Sequence, residues 1–238
     1  MCNQQEIVNH SKIQKIFEDV FFVTGTMKNE FFGSMWQFSR NMTIVREDGN
    51  LSIFNSVKLN EDGLKALDEL GKVTNVVRIG DMHGIDDEFY IKRYNAKFWA
   101  LPDMTIESAL KIDEPLIEGN KLPIKNASLF IFNTVKRPEC IIRLDKEGGI
   151  MIACDSLQNW EAPDEFFDES TIKTMKQMNF FQSANLGPAW MHESQPQKDD
   201  FVRLKDIQFK HALCGHGTPL LHNAQQAFQE RFKQAFNI

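Results

Sequence analysis

The sequence lacks the features that mark membrane, secreted and nucleic-acid-binding proteins. It contains no apolar run near the roughly 20 residues that a membrane-spanning helix needs. Its first residues show no basic segment followed by an apolar one, so we expect no signal peptide. The 27 basic residues are outnumbered by 33 acidic ones, so the net charge of −6 lacks the positive field that a nucleic acid requires. The 4 cysteines form no C-x-x-C pair, which favours free thiols in a reducing cytoplasm.

What the sequence does contain is the composition of one ordinary globular domain. Its 238 residues are 42% apolar and 25% charged, which excludes a disordered chain, a collagen-like repeat and a small disulfide scaffold. The 20 phenylalanines are typical of a large packed core. No repeat and no linker divides the chain, so we expect a single domain over residues 1–238.

The first half of the sequence alternates segments typical of strands and of helices. Asn60 is a suitable N-cap, and Gly71 a suitable stop, for the amphipathic helix between them. The dipeptide Asp48-Gly49 is typical of a tight turn between two strands. The predicted strands cover residues 20–27, 36–47, 51–57, 75–79 and 97–100, and the predicted helices cover residues 60–70 and 88–94. This alternation indicates a sheet covered by helices.

The second half repeats the arrangement. Thr218 and Pro219 predict the cap and the first position of a final helix. The predicted strands cover residues 127–133, 140–144, 149–154 and 207–214, and the predicted helices cover residues 169–177 and 220–236. We interpret the polar segment 185–200 as an irregular loop that forms a lid or a pocket wall. Two β-rich halves, each followed by a helix, predict two sheets sandwiched between helices.

Three places in the sequence put a histidine or a carboxylate directly after a predicted strand. His83 lies in the glycine-containing loop 80–88, Asp155 follows an apolar strand, and His216 lies in a Gly-His-Gly loop. In sheets flanked by helices, ligand sites collect beyond the ends of the strands. Each place alone is typical of a turn, a helix cap or a structural histidine. Together they indicate metal chemistry, because histidine combined with carboxylates is a metal-binding set.

The order of these motifs resembles the metallo-β-lactamase fold superfamily over the whole chain. That family has an H-x-H-x-D-H loop after an early strand, a histidine in a middle loop, an aspartate after a strand and a late G-H-G loop. In the early loop, G-D-M-H-G-I-D-D-E, we take His83 as the first histidine. Ile85 then replaces the second histidine, Asp87 matches the aspartate and Glu88 replaces the third histidine. The resemblance implies an α/β fold with four layers in the order αββα.

The later motifs complete the comparison with the family. Asp155 matches the aspartate that bridges two metal positions, and His216 matches the last histidine. Lys136 stands where the middle loop of the family has its histidine. Because Ile85 offers no donor and Lys136 brings a positive charge, the resemblance does not imply a position with three histidine ligands.

What remains implies one reduced, carboxylate-rich metal site. The implied ligands are His83, Asp87, Glu88, Asp155 and His216. A set with this many oxygen donors favours iron(II) or manganese over zinc, although zinc stays open. The alternative is a site without metal, in which Lys136 fills the vacant position and pairs with Asp155 or Asp87.

Two functions follow from these alternatives. The first is a divergent metal-dependent hydrolase in which Asp87 or Asp155 orients a water molecule or takes its proton, with an ester, amide, lactone or phosphoester as the small-molecule substrate. The second is a non-catalytic, metal-free relative that acts as a binding or regulatory protein. The net charge of −6 disfavours polyanionic substrates. The sequence leaves open whether the chain forms a homo-oligomer.

Overall fold

A computed structural model of the chain describes residues 9–31, 33–106 and 110–238. Cys2 and the other residues up to 8, which make up most of the segment inspected for a signal peptide, lie outside the described residues. The strands are β1 Gln14–Phe17, β2 Val20–Phe31, β3 Ser34–Glu47, β4 Asn50–Phe54, β5 Lys72–Val77, β6 Lys97–Ala100, β7 Glu114–Pro115, β8 Ala127–Ile131, β9 Cys140–Leu144, β10 Ile150–Ile152, β11 Leu157–Trp160, β12 Gln182–Leu186 and β13 His211–Leu213. The helices are α1 Glu61–Leu70, α2 Asp87–Tyr94, α3 Glu169–Gln177, α4 Pro188–Ser194, α5 Lys198–Leu204 and α6 Ala224–Phe236.

The strands of the described residues form two main sheets and one small sheet. The first sheet has seven strands in the order β1-β2-β3-β4-β5-β6-β7; its pairs are antiparallel up to β4 and parallel from β4 onward. The second has four strands in the order β13-β10-β9-β8, and β13 runs parallel to β10. Strands β11 and β12 form an antiparallel pair. The predicted α/β class is confirmed.

Alternation along β9 shows how the layers are stacked. Ile142 packs into the core cluster that the second sheet shares with the first, whereas its neighbour Ile141 packs into a cluster with α4, α5 and α6. Successive side chains of a strand point to opposite faces, so the second sheet is covered on both sides. On the first sheet, Leu64 and Leu67 of α1 and Tyr90 of α2 belong to the shared cluster. The result is the αββα order that the resemblance implies.

Local sequence signals explain the elements that were predicted well. Strand β9 and helix α3 have the predicted bounds. Helix α1 begins after Asn60, whose side chain accepts a hydrogen bond from the Gly63 backbone N–H, as an N-cap does. Asp48 and Gly49 both have positive φ, 49° and 76°, as a two-residue hairpin turn requires.

Two predicted segments were wrong. Residues 185–200 are not an irregular loop, because they hold the end of β12, helix α4 and the start of α5. Trp190 and Phe201 bury one face of each helix, and the polar residues that suggested a loop occupy the remaining positions. The final helix begins at Ala224, not at Leu220. Leu220 instead exchanges backbone hydrogen bonds with Ala212 beside β13, which delays the helix.

The strands β1, β7, β11 and β12 were not predicted. Strand β11, with the sequence LQNW, and β12, with QSANL, carry polar residues at buried positions, so they lack the apolar pattern of a core strand. No helix in the described part of the chain is long and apolar enough to cross a membrane.

Candidate functional site

His83 lies in the loop between β5 and α2, and a buried arginine holds that loop. Arg78 directly follows the strand and donates from its guanidinium to the carbonyl oxygens of Gly84 and Thr105, both over 3.2 Å. Gly84 has a φ of 116°, and a Cβ there would lie 2.1 Å from the guanidinium of Arg78. The glycine is therefore required for the close packing of the loop on the arginine. The side chain of His83 is only 7% exposed.

Asp155 lies shortly after β10, where a buried glutamate accepts hydrogen bonds from the backbone. The backbone N–H groups of Asp155 and Ser156 donate to the two carboxylate oxygens of Glu139 over 3.3 and 2.8 Å. Burial, together with the negative charge of Asp155, raises the pKa of Glu139 to about 8. Glu139 directly precedes β9 and was not predicted as a site residue. Because Glu139 lies before its strand, the rule that singled out Asp155, a carboxylate directly after an apolar strand, does not find it.

His216 lies after β13 and is fixed by its ring contacts. Its Nδ1 lies 3.0 Å from the carbonyl oxygen of Ser39 on β3. The indole ring of Trp160 stacks on the imidazole, with 4.9 Å between ring centroids and 17° between the planes. Phe38 covers another side, with 5.8 Å between centroids. The ring is therefore held so that its Nε2 points away from β3.

The structure brings His83, Asp155 and His216 together. The Nε2 atoms of the two histidines lie 3.2 Å apart. His83 Nε2 lies 3.3 Å from Asp155 Oδ2, and His216 Nε2 lies 3.1 Å from Asp155 Oδ1. Donors bound to one ion at about 2.1 Å lie roughly 3.0 Å apart in octahedral and roughly 3.4 Å apart in tetrahedral coordination. Distances of 3.1 to 3.3 Å thus suit three ligands of a single metal ion, and they also suit hydrogen bonds between the three side chains.

The hydrogen-bond partners of His216 show what could lie between its ring and Asp155. Because His216 Nδ1 faces a carbonyl oxygen, that nitrogen carries the hydrogen, and in the neutral ring Nε2 is left with its lone pair. That lone pair points at a carboxylate oxygen of Asp155, which is also an acceptor. A metal ion or an extra proton between them removes the repulsion. Burial opposes ionisation of Asp155, but His83 and His216 hold the pKa of its carboxyl well below the usual range.

Asp87 and Glu88 are bound to other residues. The carboxylate of Asp87 accepts from Arg78 Nε over 2.7 Å and from the hydroxyl of Ser56. Its side chain is 1% exposed. Glu88 lies one turn before Lys92 on α2 and pairs with it over 2.6 Å at the surface.

Lys136 is exposed, and its backbone N–H donates to the carbonyl oxygen of Ser194 over 2.8 Å. The ion-pair partners that the structure shows for Asp155 are His83 and His216, and the partner that it shows for Asp87 is Arg78.

Cys154 is a further donor next to the cluster. Its sulfur lies 3.6 Å from Asp155 Oδ2, and one donor atom each from His83, Cys154 and Asp155 lie within 4.8 Å of one another. Burial, reinforced by the charges of Asp155 and Glu139, raises the pKa of the thiol well above its ordinary value. The thiolate is the form that binds metals, so Cys154 is a weaker ligand than the two histidines and the aspartate.

The fold is that of the metallo-β-lactamases. DIM-1 metallo-β-lactamase superposes over 96% of this chain and 99% of its own, with a TM-score of 0.64 and 13% sequence identity. The mono-zinc form of FIM-1 from Pseudomonas aeruginosa matches 94% of this chain and 95% of its own, with a TM-score of 0.61 and 10% identity. A metallo-β-lactamase from Erythrobacter litoralis matches 93% and 92%, with a TM-score of 0.58 and 11% identity.

At identities this low, the likeness shows the fold alone. No protein-family model matches the sequence, and no curated protein matches it. The expected resemblance to the metallo-β-lactamase superfamily is confirmed at the level of the fold.

Proposed function

We propose that the chain is a metal-dependent hydrolase that holds one divalent ion with His83, Asp155 and His216. The observation that supports this proposal is the spacing of 3.1 to 3.3 Å between two imidazole nitrogens and a carboxylate, all on side chains less than 10% exposed. Three such donors converging away from water favour a bound cation, and the likeness of the fold to metallo-β-lactamases, one of them in a mono-zinc form, supports a divalent metal as that cation.

The choice of metal follows from this donor set. Two histidines and one carboxylate bind iron(II) in many non-haem enzymes and zinc in several hydrolases. Without Asp87 and Glu88 among the ligands, the set contains fewer oxygens than the sequence implied. Iron(II) and zinc therefore come before manganese.

The roles of the residues follow from their contacts. A bound ion would supply Lewis acidity and lower the pKa of a water molecule. His216, with its Nδ1–H held by Ser39, presents the Nε2 lone pair as a ligand. Asp155 has one oxygen toward each histidine, so one oxygen would bind the ion and the other would be placed to orient a water molecule and accept its proton. Asp87 serves instead to hold Arg78 and the His83 loop.

The surroundings of the site limit the substrate. The three ligand side chains are 6 to 9% exposed, so a small reacting group reaches them more easily than a bulky one. Esters, amides, lactones and phosphoesters of small molecules remain the substrate class, and the net charge of −6 disfavours polyanions. A cytoplasmic location is part of the proposal, since Cys140, Cys154 and Cys214 are free and buried.

A non-catalytic binding or regulatory protein is the second candidate. The same three side chains can hydrogen-bond to one another without a metal if one histidine carries an extra proton. The exposure of 6 to 9% also suits a site that does not turn over a substrate.

Metal content separates the two candidates. Protein purified without chelator is assayed for iron, zinc and manganese beside His83→Ala, Asp155→Ala and His216→Ala, with the surface variant His192→Ala as the control. The hydrolase proposal expects about one ion per chain in the wild type and in the control, and its loss in the other three variants. Nitrophenyl esters and phosphoesters then test activity. A wild type that binds none of the three metals, even after incubation with each, overturns the hydrolase in favour of the second candidate.

A further inference from the structure

The loop that carries His216 consists of residues 214–217, and two asparagines donate hydrogen bonds to all four of its backbone carbonyls. Asn41 on β3 donates its backbone N–H to the carbonyl oxygen of Gly215 over 2.8 Å. Its side-chain NH2 group donates to the carbonyl oxygens of Cys214 and Gly217 over 3.0 and 2.7 Å. The carbonyl oxygen of His216 accepts from the backbone N–H of Asn159 over 3.4 Å. Three of the four carbonyls thus depend on Asn41.

The orientation of the Asn41 amide is fixed by its own partners. Thr24, its cross-strand neighbour on β2, donates its hydroxyl to Asn41 Oδ1 over 2.8 Å. Both side-chain protons are used on the loop carbonyls, so the amide has one acceptable orientation. The residue is 1% exposed, which leaves water no access to replace these bonds.

We propose that Asn41 is the positioning residue of the metal centre, which sets the direction of His216 Nε2 through the loop backbone. Ser39, two residues earlier on the same strand, accepts from His216 Nδ1, so β3 holds both the backbone and the ring of His216. Nε2 is left as the free end of the ring, aimed at His83 and Asp155. This inference rests on the proposed metal site, but Asn41 touches neither the ion nor the substrate.

The test compares Asn41→Ala with Asn75→Ala. Asn75 is a matched control because it is also an amide on the first sheet with both ends bonded, its NH2 to Ser52 and its oxygen to the indole of Trp99. Zinc affinity is measured by competition with a chromophoric chelator, and the melting temperature of the metal-free protein is measured beside it. Asn41→Ala is expected to weaken zinc binding about 10- to 100-fold, as loss of a group that orients a metal-bound histidine does. Asn75→Ala is expected to lower the melting temperature alone.

Two outcomes overturn the proposal. Either Asn41→Ala binds zinc as tightly as the wild type, or Asn75→Ala weakens zinc binding by the same factor, which makes the effect one of general stability. Should Asn41→Ala fail to fold, Thr24→Val replaces it. That variant frees the amide oxygen while leaving both NH2 bonds in place, and it is expected to weaken zinc binding by a smaller factor; unchanged affinity overturns the proposal.

A second readout does not depend on metal. Long-range ¹H–¹⁵N spectra of the metal-free protein report which ring nitrogen of His216 carries a proton. A wild type without zinc affinity refutes the metal site, and the spectra then test Asn41 separately. The wild type is expected to show His216 protonated at Nδ1, and Asn41→Ala to show exchange between tautomers. An unchanged spectrum in Asn41→Ala overturns the positioning role.

Discussion

Arg78 and Asp87 form an ion pair inside the protein, with 2.7 Å between Arg78 Nε and Asp87 Oδ2 and side chains 8% and 1% exposed. In the family pattern, Asp87 matches a metal ligand. Here its charge is already balanced by the guanidinium, and a second bond comes from the hydroxyl of Ser56. The pair therefore stabilises the loop that presents His83 instead of supplying a donor to an ion.

Replacement of Asp87 by alanine tests this role. Asp87→Ala leaves the Arg78 charge buried without its partner, so we expect the free energy of unfolding to fall by about 3–5 kcal/mol. Urea denaturation measures the change. In the double variant Arg78→Met, Asp87→Leu, which removes both charges, only part of the loss should be recovered, because the hydrogen bonds from Arg78 to the carbonyl oxygens of Gly84 and Thr105 are lost as well. A loss of under about 1 kcal/mol in Asp87→Ala would contradict the pairing.

Gly84 should tolerate no side chain. In Gly84→Ala, the φ of 116° and a Cβ 2.1 Å from the Arg78 guanidinium both disfavour the native state. We therefore expect the free energy of unfolding to fall by about 3 kcal/mol or more. Gly119→Ala is the control, because Gly119 also has a positive φ, 81°, but its Cβ would meet no atom within 4 Å. Gly119→Ala should lower the free energy of unfolding by about 1–2 kcal/mol, which is the effect of the left-handed conformation alone. Equal losses in thermal unfolding would show that the contact with Arg78 is unimportant.

The stability should depend on pH through His211. Burial lowers the pKa of His211, whose Nδ1 accepts from the His222 backbone N–H over 3.1 Å and whose Nε2 faces the Glu147 carbonyl oxygen. The unfolded chain binds this proton at about pH 6.5 and the folded chain only at lower pH. The stabilisation by neutral His211 is thus complete above about pH 6.5 and is lost as the pH falls through the lowered value.

Denaturation of His211→Gln checks this dependence. The loss of unfolding free energy between about pH 7.5 and about pH 5 should be smaller in His211→Gln than in the wild type. His192→Gln, at an exposed histidine, should keep the wild-type dependence. A wild-type slope in His211→Gln would show that other groups carry the pH response.

Trp160 should report on the candidate site by fluorescence. Its ring lies 4.9 Å from that of His216, so a paramagnetic ion such as cobalt(II) bound there should quench its emission. Titration with cobalt(II) is expected to lower the tryptophan fluorescence of the wild type, and Trp160→Phe should remove most of that change. Quenching of the same size in Trp160→Phe would place the ion elsewhere.

The elements that could be predicted are those whose signals are local. The apolar run of β9 and the N-cap of α1 lie within a few residues, and the structure has β9, α1 and α3 at or within one residue of the predicted bounds. Residues 185–200 were missed because two short helices bury few apolar residues each. Their helical form depends on packing against the second sheet, which a short window of sequence does not contain.

The same division applies to the site. His83, Asp155 and His216 could be singled out because each follows a strand in a loop, and such loops meet at one edge of a fold. The partners of Asp87 and the role of Glu139 could not be predicted, because Arg78 and Glu139 reach them only after the sheets have been stacked. Sequence spacing shows which residues offer donors, and the packing decides which donors meet.

His83 and His216 are 133 residues apart in the chain, yet their Nε2 atoms lie 3.2 Å apart. An ion between them would act as a cross-link, and an unfolded chain could form it only at the entropic cost of closing a very long loop. The ion would therefore bind almost exclusively to the native state. At a concentration a hundredfold above its Kd, it would add about 2.7 kcal/mol to the free energy of unfolding. The lifetime of this protein would then rise and fall with the supply of the metal around it.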